Sequence, residues 1–161
     1  MPERPAPRPG LAASPSRPQS YLSFDFGARR VGVATGNSLL GLAQPLKTLS
    51  AEGDARFAAI ADLISQWQPS ALVVGVPFHP DGAAHENTRR AQRFARQLHG
   101  RFRLPVHEVD ERYTTTEALA ARAADADAAA AALILEQFLR GPAAADASPS
   151  PPVQDPADAA A

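Results

Sequence analysis

The sequence predicts an α/β fold on a mixed five-stranded sheet, with three meandering strands, then two parallel ones, and flanking helices. Three observations support this prediction. Apolar and polar residues alternate on either side of a glycine-containing turn, which indicates an antiparallel hairpin. Later strands are separated by segments of helical periodicity, an order that gives parallel strands. The run 71–76 (Ala-Leu-Val-Val-Gly-Val) is uniformly apolar, as in a parallel strand covered on both faces.

The two ends of the chain differ from its middle. Residues 1–19 hold six of the sixteen prolines and residues 141–161 hold five, and neither segment is rich in large apolar side chains. Such segments bury too little surface to offset the entropy of ordering, so we expect disordered tails at 1–19 and 141–161. Residues 20–140 form the predicted domain, which is long enough for one hydrophobic core.

Composition excludes several classes of protein. Residues 20–140 carry thirteen basic and thirteen acidic side chains, so no net charge directs the whole domain toward nucleic acid or membrane. The chain has no cysteine, which excludes disulfides and thiolate metal sites. No segment has the length of a membrane span or the apolar core of a signal peptide. We therefore expect a soluble, cytoplasmic protein that does not bind membranes.

The first predicted strand, 21–26, has one ionisable residue near its end, Asp25. A hairpin turn at 27–30 leads into the second strand. Gly27 and Gly32 leave room beside the carboxylate for a backbone or a phosphate. Because aspartate is also a common turn residue, a purely structural role for Asp25 stays open.

The third strand is predicted at 39–46, irregular because of Gly41 and Pro45 and therefore near an edge of the sheet. A helix opens at Gly53 and ends before Pro69. Its apolar residues recur at the spacing of one buried stripe, namely Phe57, Ile60, Ala61, Ile64 and Trp67.

A second helix, about 86–99, separates an apolar side from a basic one. Arg89, Arg93 and Arg96 lie opposite the apolar side on a helical wheel. Charged faces are usually just solvated, and that interpretation stays open. The face has a single sign, however, so we predict that it contacts the phosphates of a nucleic acid.

The last predicted strand, 104–112, ends in a group of charged residues. Asp110, Glu111 and Arg112 follow one another there. Thr114 and Glu117 have the spacing of a capping box, so we predict that a helix begins directly after the acids.

The final helix is predicted at about 127–140. Asp127 falls on the same stripe as three apolar residues, Ala131, Ile134 and Phe138. An acid in a first turn also suits the helix dipole, so a structural role for Asp127 stays open. A carboxylate that points inward nevertheless needs a partner.

These acids are expected to meet at one edge of the sheet. Asp25 ends the first strand, Asp110 and Glu111 end the last one, and Asp127 leans in from the final helix. Ligands of such sheets bind beyond the carboxyl ends of the strands. Acids that converge without lysine or histidine between them repel one another unless a divalent cation lies among them, and oxygen ligands favour Mg²⁺ or Mn²⁺ over zinc. Two such ions suit phosphodiester hydrolysis.

Five motifs, taken in order, resemble the YqgF/RuvX family of Holliday junction resolvase-like nucleases. They are Phe24-Asp25-Phe26-Gly27 with Val31-Gly32-Val33-Ala34, Val74-Gly75-Val76-Pro77 with Asp81-Gly82, Gln92-Arg93-Phe94-Ala95, the segment Asp110-Glu111-Arg112-Tyr113-Thr114-Thr115-Thr116-Glu117-Ala118, and Asp127 with Leu133-Ile134-Leu135. The resemblance covers about 20–140. It implies an RNase H-like fold and a metal-dependent nuclease that matures the 5′ end of pre-16S ribosomal RNA in the bacterial cytoplasm.

Carried over by position, the resemblance implies catalytic acids at Asp25, Glu111 and Asp127, which also hold Mg²⁺ or Mn²⁺, with Asp110 as a neighbouring candidate. The expected phosphate contacts are Arg89, Arg93, Arg96 and Arg112. The implied partner is structured RNA, a ribosomal precursor, with a DNA junction as the alternative. This chain departs from the family in the short segment before Asp127, where Asp125 replaces a frequent lysine.

Two other functions stay open. A nucleic-acid- or ribosome-binding module on the same fold would need the arginines but not the acids. An ATPase of the actin-like or sugar-kinase type is disfavoured, because those folds need two such halves and the chain has no Gly-x-x-x-x-Gly-Lys-Ser/Thr loop.

Overall fold

The computed structural model describes residues 18–111 and 125–141. Their elements, in chain order, are β1 (Ser20–Phe26), β2 (Val31–Asn37), β3 (Ala43–Leu49), α1 (Gly53–Trp67), β4 (Ala71–Val76), α2 (Glu86–Phe102), β5 (Val106–Asp110) and α3 (Ala126–Arg140). Apart from residues 18, 19 and 141, the predicted tails lie outside the described residues, as do Arg112 and the capping box at Thr114 and Glu117.

The five strands form one sheet in the order β3-β2-β1-β4-β5. Short turns join β1 to β2 and β2 to β3, so these pairs are antiparallel. Helices join β3 to β4 and β4 to β5, and β4 lies parallel to both β1 and β5. The predicted mixed five-stranded sheet is confirmed, with β1 at its centre and β3 at an edge.

Each face of the sheet has its own helical layer. On one face, Leu22 and Phe24 of β1 pack with residues of α1 and α2 such as Phe57 and Phe94. On the other face, Tyr21 of β1 packs with residues of α3. All six residues of β4 are buried, which confirms a strand covered on both sides. Alternation along β1 therefore places Asp25 on the α3 face.

Local details differ from the predictions. The third strand begins at Ala43, not at residue 39, and Leu39, Leu40 and Leu42 are exposed in the loop before it. The backbone NH of Leu40 binds the Asn37 side chain instead of a neighbouring strand. Leu39 and Leu40 lie in a turn, and Leu42 lies in the short loop that follows it.

The buried stripe of α1 is also displaced from the predicted one. Arg56, Phe57, Ile60 and Leu63 are buried, whereas Ala61 is exposed and Trp67 is 39% exposed. The buried residues follow the three- and four-residue spacing of one helix face. That face is rotated about the helix axis relative to the stripe predicted from the large apolar residues. Helix α2 ends at Phe102, later than predicted.

None of the helices within 18–111 and 125–141 combines the length and apolar character needed to cross a membrane.

Candidate active site

Asp25 lies near the carboxyl end of the central strand, between two glycines on neighbouring strands. Its register partner in β2 is Gly32, and its partner in β4 is Gly75. Ser23, two residues before Asp25 on the same face, donates a hydrogen bond to the backbone oxygen of Ala131 in α3 at 2.8 Å. The sheet is therefore bare backbone on both sides of Asp25, on the face that α3 covers.

Asp127 is brought to this place by the close contact of α3 with Gly32. A Cβ atom added to Gly32 would overlap the carbonyl oxygen of Asp127 and would lie 2.8 Å from the nitrogen of Ala128. Only glycine permits this approach. The predicted stripe is confirmed as well, because Ala131, Ile134 and Phe138 are all buried.

The start of α3 is fixed by Asp125, for which the sequence alone indicated no role. Its carboxylate accepts a hydrogen bond from the backbone NH of Ala128 at 3.1 Å, as an N-cap does. The hydroxyl of Thr48 in β3 donates to the same carboxylate oxygen. Asp125 thus ties the first turn of α3 to the sheet, two residues before Asp127.

Glu111 reaches the same surface from the end of β5. Its carboxyl carbon lies 3.1 Å from the position that a Cβ of Gly75 would occupy. Gly75 is the β4 partner of Asp25, so Glu111 lies over one neighbour of Asp25 while Asp127 lies over the other. We refer to Asp25, Glu111 and Asp127 as the three acids.

Asp110 does not share this surface. Val109 packs in the cluster on the α3 face. Glu108 interacts instead with Arg96 and Gln92 of α2. Strand alternation therefore directs Asp110 to the α2 side, away from the three acids.

The three acids fit a hard divalent cation by the chemistry of their oxygens. Within residues 18–111 and 125–141, however, no three His, Asp or Glu side chains are gathered closely enough to hold a metal ion. The Nε atom of Arg30 lies 3.3 Å from Oδ2 of Asp127. The hairpin turn after Asp25 therefore places an arginine beside Asp127.

That hairpin turn is held from behind by Arg56, which is only 6% exposed. Its guanidinium donates to the backbone oxygens of Ala51 at 3.0 Å and Ala28 at 3.1 Å, and lies 5.7 Å from the ring centre of Phe26. Burial lowers the pKa of Arg56, and nearby Glu52 opposes that shift. A buried cation in α1 thus fixes the turn that carries Arg30.

Two further arginines of α2, outside the predicted basic face, are paired with acids. Arg90 pairs with Glu86 at 3.0 Å, and Arg101 pairs with Asp54 at 3.5 Å. Acids from the same helix and from α1 therefore offset part of the charge of α2.

Three predicted phosphate contacts of α2 fall into two groups. Arg89 and Arg93 are exposed and form no ion pair with a described residue. Arg96 is half-buried and interacts with Glu108 of β5. Because β4 runs toward the three acids and α2 follows it, the first turns of α2 begin at the same edge of the sheet.

The loop between β4 and α2 is organised by His85. The Nδ1 atom of His85 accepts a hydrogen bond from the backbone NH of Asn87 at 3.1 Å. The backbone NH of His85 donates a hydrogen bond to Oγ1 of Thr88 at 3.0 Å. The Thr88 hydroxyl in turn donates to the Pro77 oxygen. The ring of His79 lies 4.6 Å from that of His85. These contacts form a capping box that starts α2.

Comparison with known proteins identifies the family. The model of the RuvX family, described as Holliday junction resolvase, matches residues 19–141. A protein of Albidiferax ferrireducens is 70% identical over 122 residues, which are 76% of this chain and 78% of that protein. One from a Polaromonas species is 68% identical over 122 residues, 76% of this chain and 88% of that protein. Both are named, provisionally, as pre-16S rRNA nucleases.

Among solved structures, Thermus thermophilus RuvC in complex with a Holliday junction substrate has a TM-score of 0.48 and 13% identity, and the match covers 76% of this chain and 96% of that one. The family match itself spans nearly the whole predicted domain and includes all five motifs. The expected resemblance is thereby confirmed, and the chain belongs to the RuvX family.

Proposed function

We propose that this protein is a metal-dependent endonuclease that hydrolyses phosphodiester bonds at the 5′ end of pre-16S ribosomal RNA in the cytoplasm. The single observation that carries the proposal is the arrangement of Asp25 between two glycines, with Glu111 over one and Asp127 over the other. The names of the RuvX relatives supply the substrate.

The three acids are proposed to hold Mg²⁺ or Mn²⁺. Asp25 is fixed by the central strand, Glu111 by the end of β5, and Asp127 by the first turn of α3. A divalent ion bound to carboxylate oxygens supplies the positive charge that activates water and stabilises a leaving oxygen in phosphodiester cleavage. The bare glycine backbone beside Asp25 leaves room for a substrate phosphate to come close.

The arginines at the same edge are proposed to hold the RNA. Arg89 and Arg93 are the exposed pair on α2. Neither forms an ion pair with a described residue, so each can contact a phosphate without first breaking such a pair. Arg96 contributes less, because it interacts with Glu108. Arg112 stays a proposed contact from outside the described residues, whereas Asp110 is not proposed as a ligand because strand alternation directs it to the α2 side.

The test is cleavage of an RNA that carries the pre-16S 5′ leader, in the presence of Mg²⁺ or Mn²⁺. Substituting Asp25→Asn removes one negative charge from the proposed site, so cleavage should fall by at least about a hundredfold. Asp62→Asn is the matched control, because Asp62 is exposed on α1, on the other face of the sheet. Undiminished cleavage by the folded Asp25→Asn protein would refute the proposal.

A DNA junction is the competing substrate within the same chemistry, since the family model is described as Holliday junction resolvase. A competition experiment with labelled leader RNA and an unlabelled four-way DNA junction distinguishes the two. Preference for the junction at equal concentration would replace RNA by DNA as the substrate.

A nucleic-acid-binding module without turnover is the second candidate. The observation that favours it is the lack, in the described parts of the chain, of three acidic or histidine side chains gathered as a ready metal site. It predicts that Arg93→Gln abolishes function in cells, whereas Asp127→Asn does not. The nuclease predicts loss of function in Asp127→Asn and only a partial decrease in Arg93→Gln.

A further inference from the structure

We propose that Arg30 is an internal counter-ion of Asp127, which a divalent cation must displace, so that Arg30 sets the metal affinity of the site. This inference rests on the proposed function, because it takes the three acids as metal ligands. It adds Arg30 to the site and predicts that Arg30 and the cation compete for Asp127, which the acids alone do not imply. Arg30 acts through Asp127 and is therefore a positioning residue.

The contact itself is a single ion pair at the edge of the site. Nε of Arg30 lies 3.3 Å from Oδ2 of Asp127, and the two side chains are 66% and 34% exposed. Ion pairs with this much solvent contact are weak. The guanidinium can therefore turn into solvent at small cost, whereas the carboxylate of Asp127 is the more enclosed of the two groups.

Both partners of the pair are delivered by fixed backbone. On one side, Arg56 holds the turn through the oxygen of Ala28, and the turn is tight enough that a Cβ on Gly27 would lie 2.6 Å from the Arg30 oxygen. On the other side, α3 is seated on Gly32, two residues beyond Arg30. The backbones of the hairpin turn and of α3 therefore hold Arg30 and Asp127 close to one another.

The neighbouring arginine provides a natural comparison. Arg29 belongs to the same turn and is exposed, but it forms no ion pair with a described residue. Arg30, and not Arg29, pairs with Asp127 because of its position in the turn. A basic residue elsewhere in the turn is not sufficient.

The pair offsets part of the negative charge that the three acids bring to this end of the sheet. Arg30 neutralises the charge of Asp127, which reduces its repulsion by the other two acids. The positive charge of Arg30 also weakens the binding of a cation. The cation must replace the guanidinium at Asp127, and it is repelled by the charge of that guanidinium. Removing the guanidinium removes both effects. At surface dielectric and moderate salt we expect a gain in affinity of roughly three- to tenfold.

The experiment is a calorimetric titration of the full chain with Mn²⁺ at low ionic strength. Arg30→Gln should bind Mn²⁺ roughly three- to tenfold more tightly than wild type. Arg29→Gln, the matched control, should stay within about twofold of wild type, because its charge makes no direct contact. Arg30→Lys keeps the charge and should also stay near wild type. Circular dichroism checks that each variant is folded.

A double-mutant cycle locates the effect. If Arg30 acts through Asp127, Arg30→Gln should give no gain in affinity in an Asp127→Asn background. In the wild type, addition of Mg²⁺ should shift the NMR resonance of the Arg30 Nε–Hε group as it leaves the carboxylate.

The outcomes separate this inference from the proposed function. Equal or weaker Mn²⁺ binding by folded Arg30→Gln, in a protein that does bind Mn²⁺, would overturn the competition and leave the nuclease proposal standing. A gain that persists in the Asp127→Asn background would also overturn it. No Mn²⁺ uptake by any variant would overturn both the proposed function and the inference.

Discussion

Gly32 and Asp127 touch through their backbones, and no side chain larger than hydrogen fits between them. A Cβ on Gly32 would overlap the carbonyl oxygen of Asp127. Since Gly32 is also the register partner of Asp25, one residue in β2 controls how close the first turn of α3 comes to the central strand.

Gly32→Ala should therefore destabilise the protein and move Asp127 away from Asp25. Overpacking of this kind costs about 1–3 kcal/mol, and the obstacle here is backbone, which cannot rotate away. The free energy of unfolding, measured by urea denaturation, should fall by that amount. Cleavage of leader RNA should fall further than the decrease in folded protein explains.

The control is Gly100→Ala. Gly100 lies in α2, and a Cβ there would meet nothing within 4 Å. Alanine stabilises helix interiors relative to glycine by about 0.5–1 kcal/mol, so this variant should be as stable as wild type or more stable. If both variants unfold alike, the close contact at Gly32 does not constrain α3.

His107 predicts how stability depends on pH. Its ring packs against Phe138, with centres 4.9 Å apart, and against Tyr21 at 6.5 Å. Burial lowers the pKa of His107 below its usual 6.5. Below that pH the unfolded chain takes up a proton that the native ring resists, so the free energy of unfolding falls as the pH drops through this window.

Substituting His107→Phe should remove this part of the acid sensitivity and keep an aromatic contact with Phe138. The difference in slope cannot exceed about 1.4 kcal/mol per pH unit, the limit for one titrating group. Urea denaturation at about pH 7.5 and about pH 5.5 measures it. Parallel curves for wild type and variant would show that His107 is not the group that titrates.

The exposed pair on α2 should act on binding rather than on the chemical step. Replacing both Arg89 and Arg93 with glutamine should weaken RNA binding several-fold. It should lower the slope of log affinity against log salt by about 0.7–0.9 for each phosphate that the protein no longer neutralises. Cleavage at saturating RNA should stay close to wild type. Filter binding over a series of salt concentrations measures the slope.

Arg90→Gln is the matched variant on the same helix. Arg90 is already paired with Glu86 at 3.0 Å, so its removal should change the salt slope less than the removal of Arg93. An equal effect of both substitutions would mean that the helix attracts RNA by net charge alone.

The sheet could be predicted because its signals are local. Alternation in 21–26 marks β1, the apolar run 71–76 marks β4, and the helices between later strands make them parallel. The same reasoning predicted which face of α3 is buried, since Ile134 and Phe138 both pack against the sheet.

What sequence could not supply depends on how distant elements pack. The leucines at 39, 40 and 42 resemble a buried strand, yet they are exposed in the loop before β3, and the first contact of β3 with α3 is made by Ala43, whose NH donates to Glu136. The pair between Arg30 and Asp127 likewise follows from the seating of α3 on Gly32, and no spacing within either segment indicates it.

The hydrogen bond from Ser23 to Ala131 joins residues 108 positions apart, so it forms only after almost the whole domain has been synthesised. Until α3 leaves the ribosome and docks on the sheet, Asp127 cannot approach Asp25. A nascent or truncated chain that ends before α3 therefore lacks one of the three acids. The order in which the polypeptide is made thus delays assembly of the proposed site until synthesis of the domain is nearly complete.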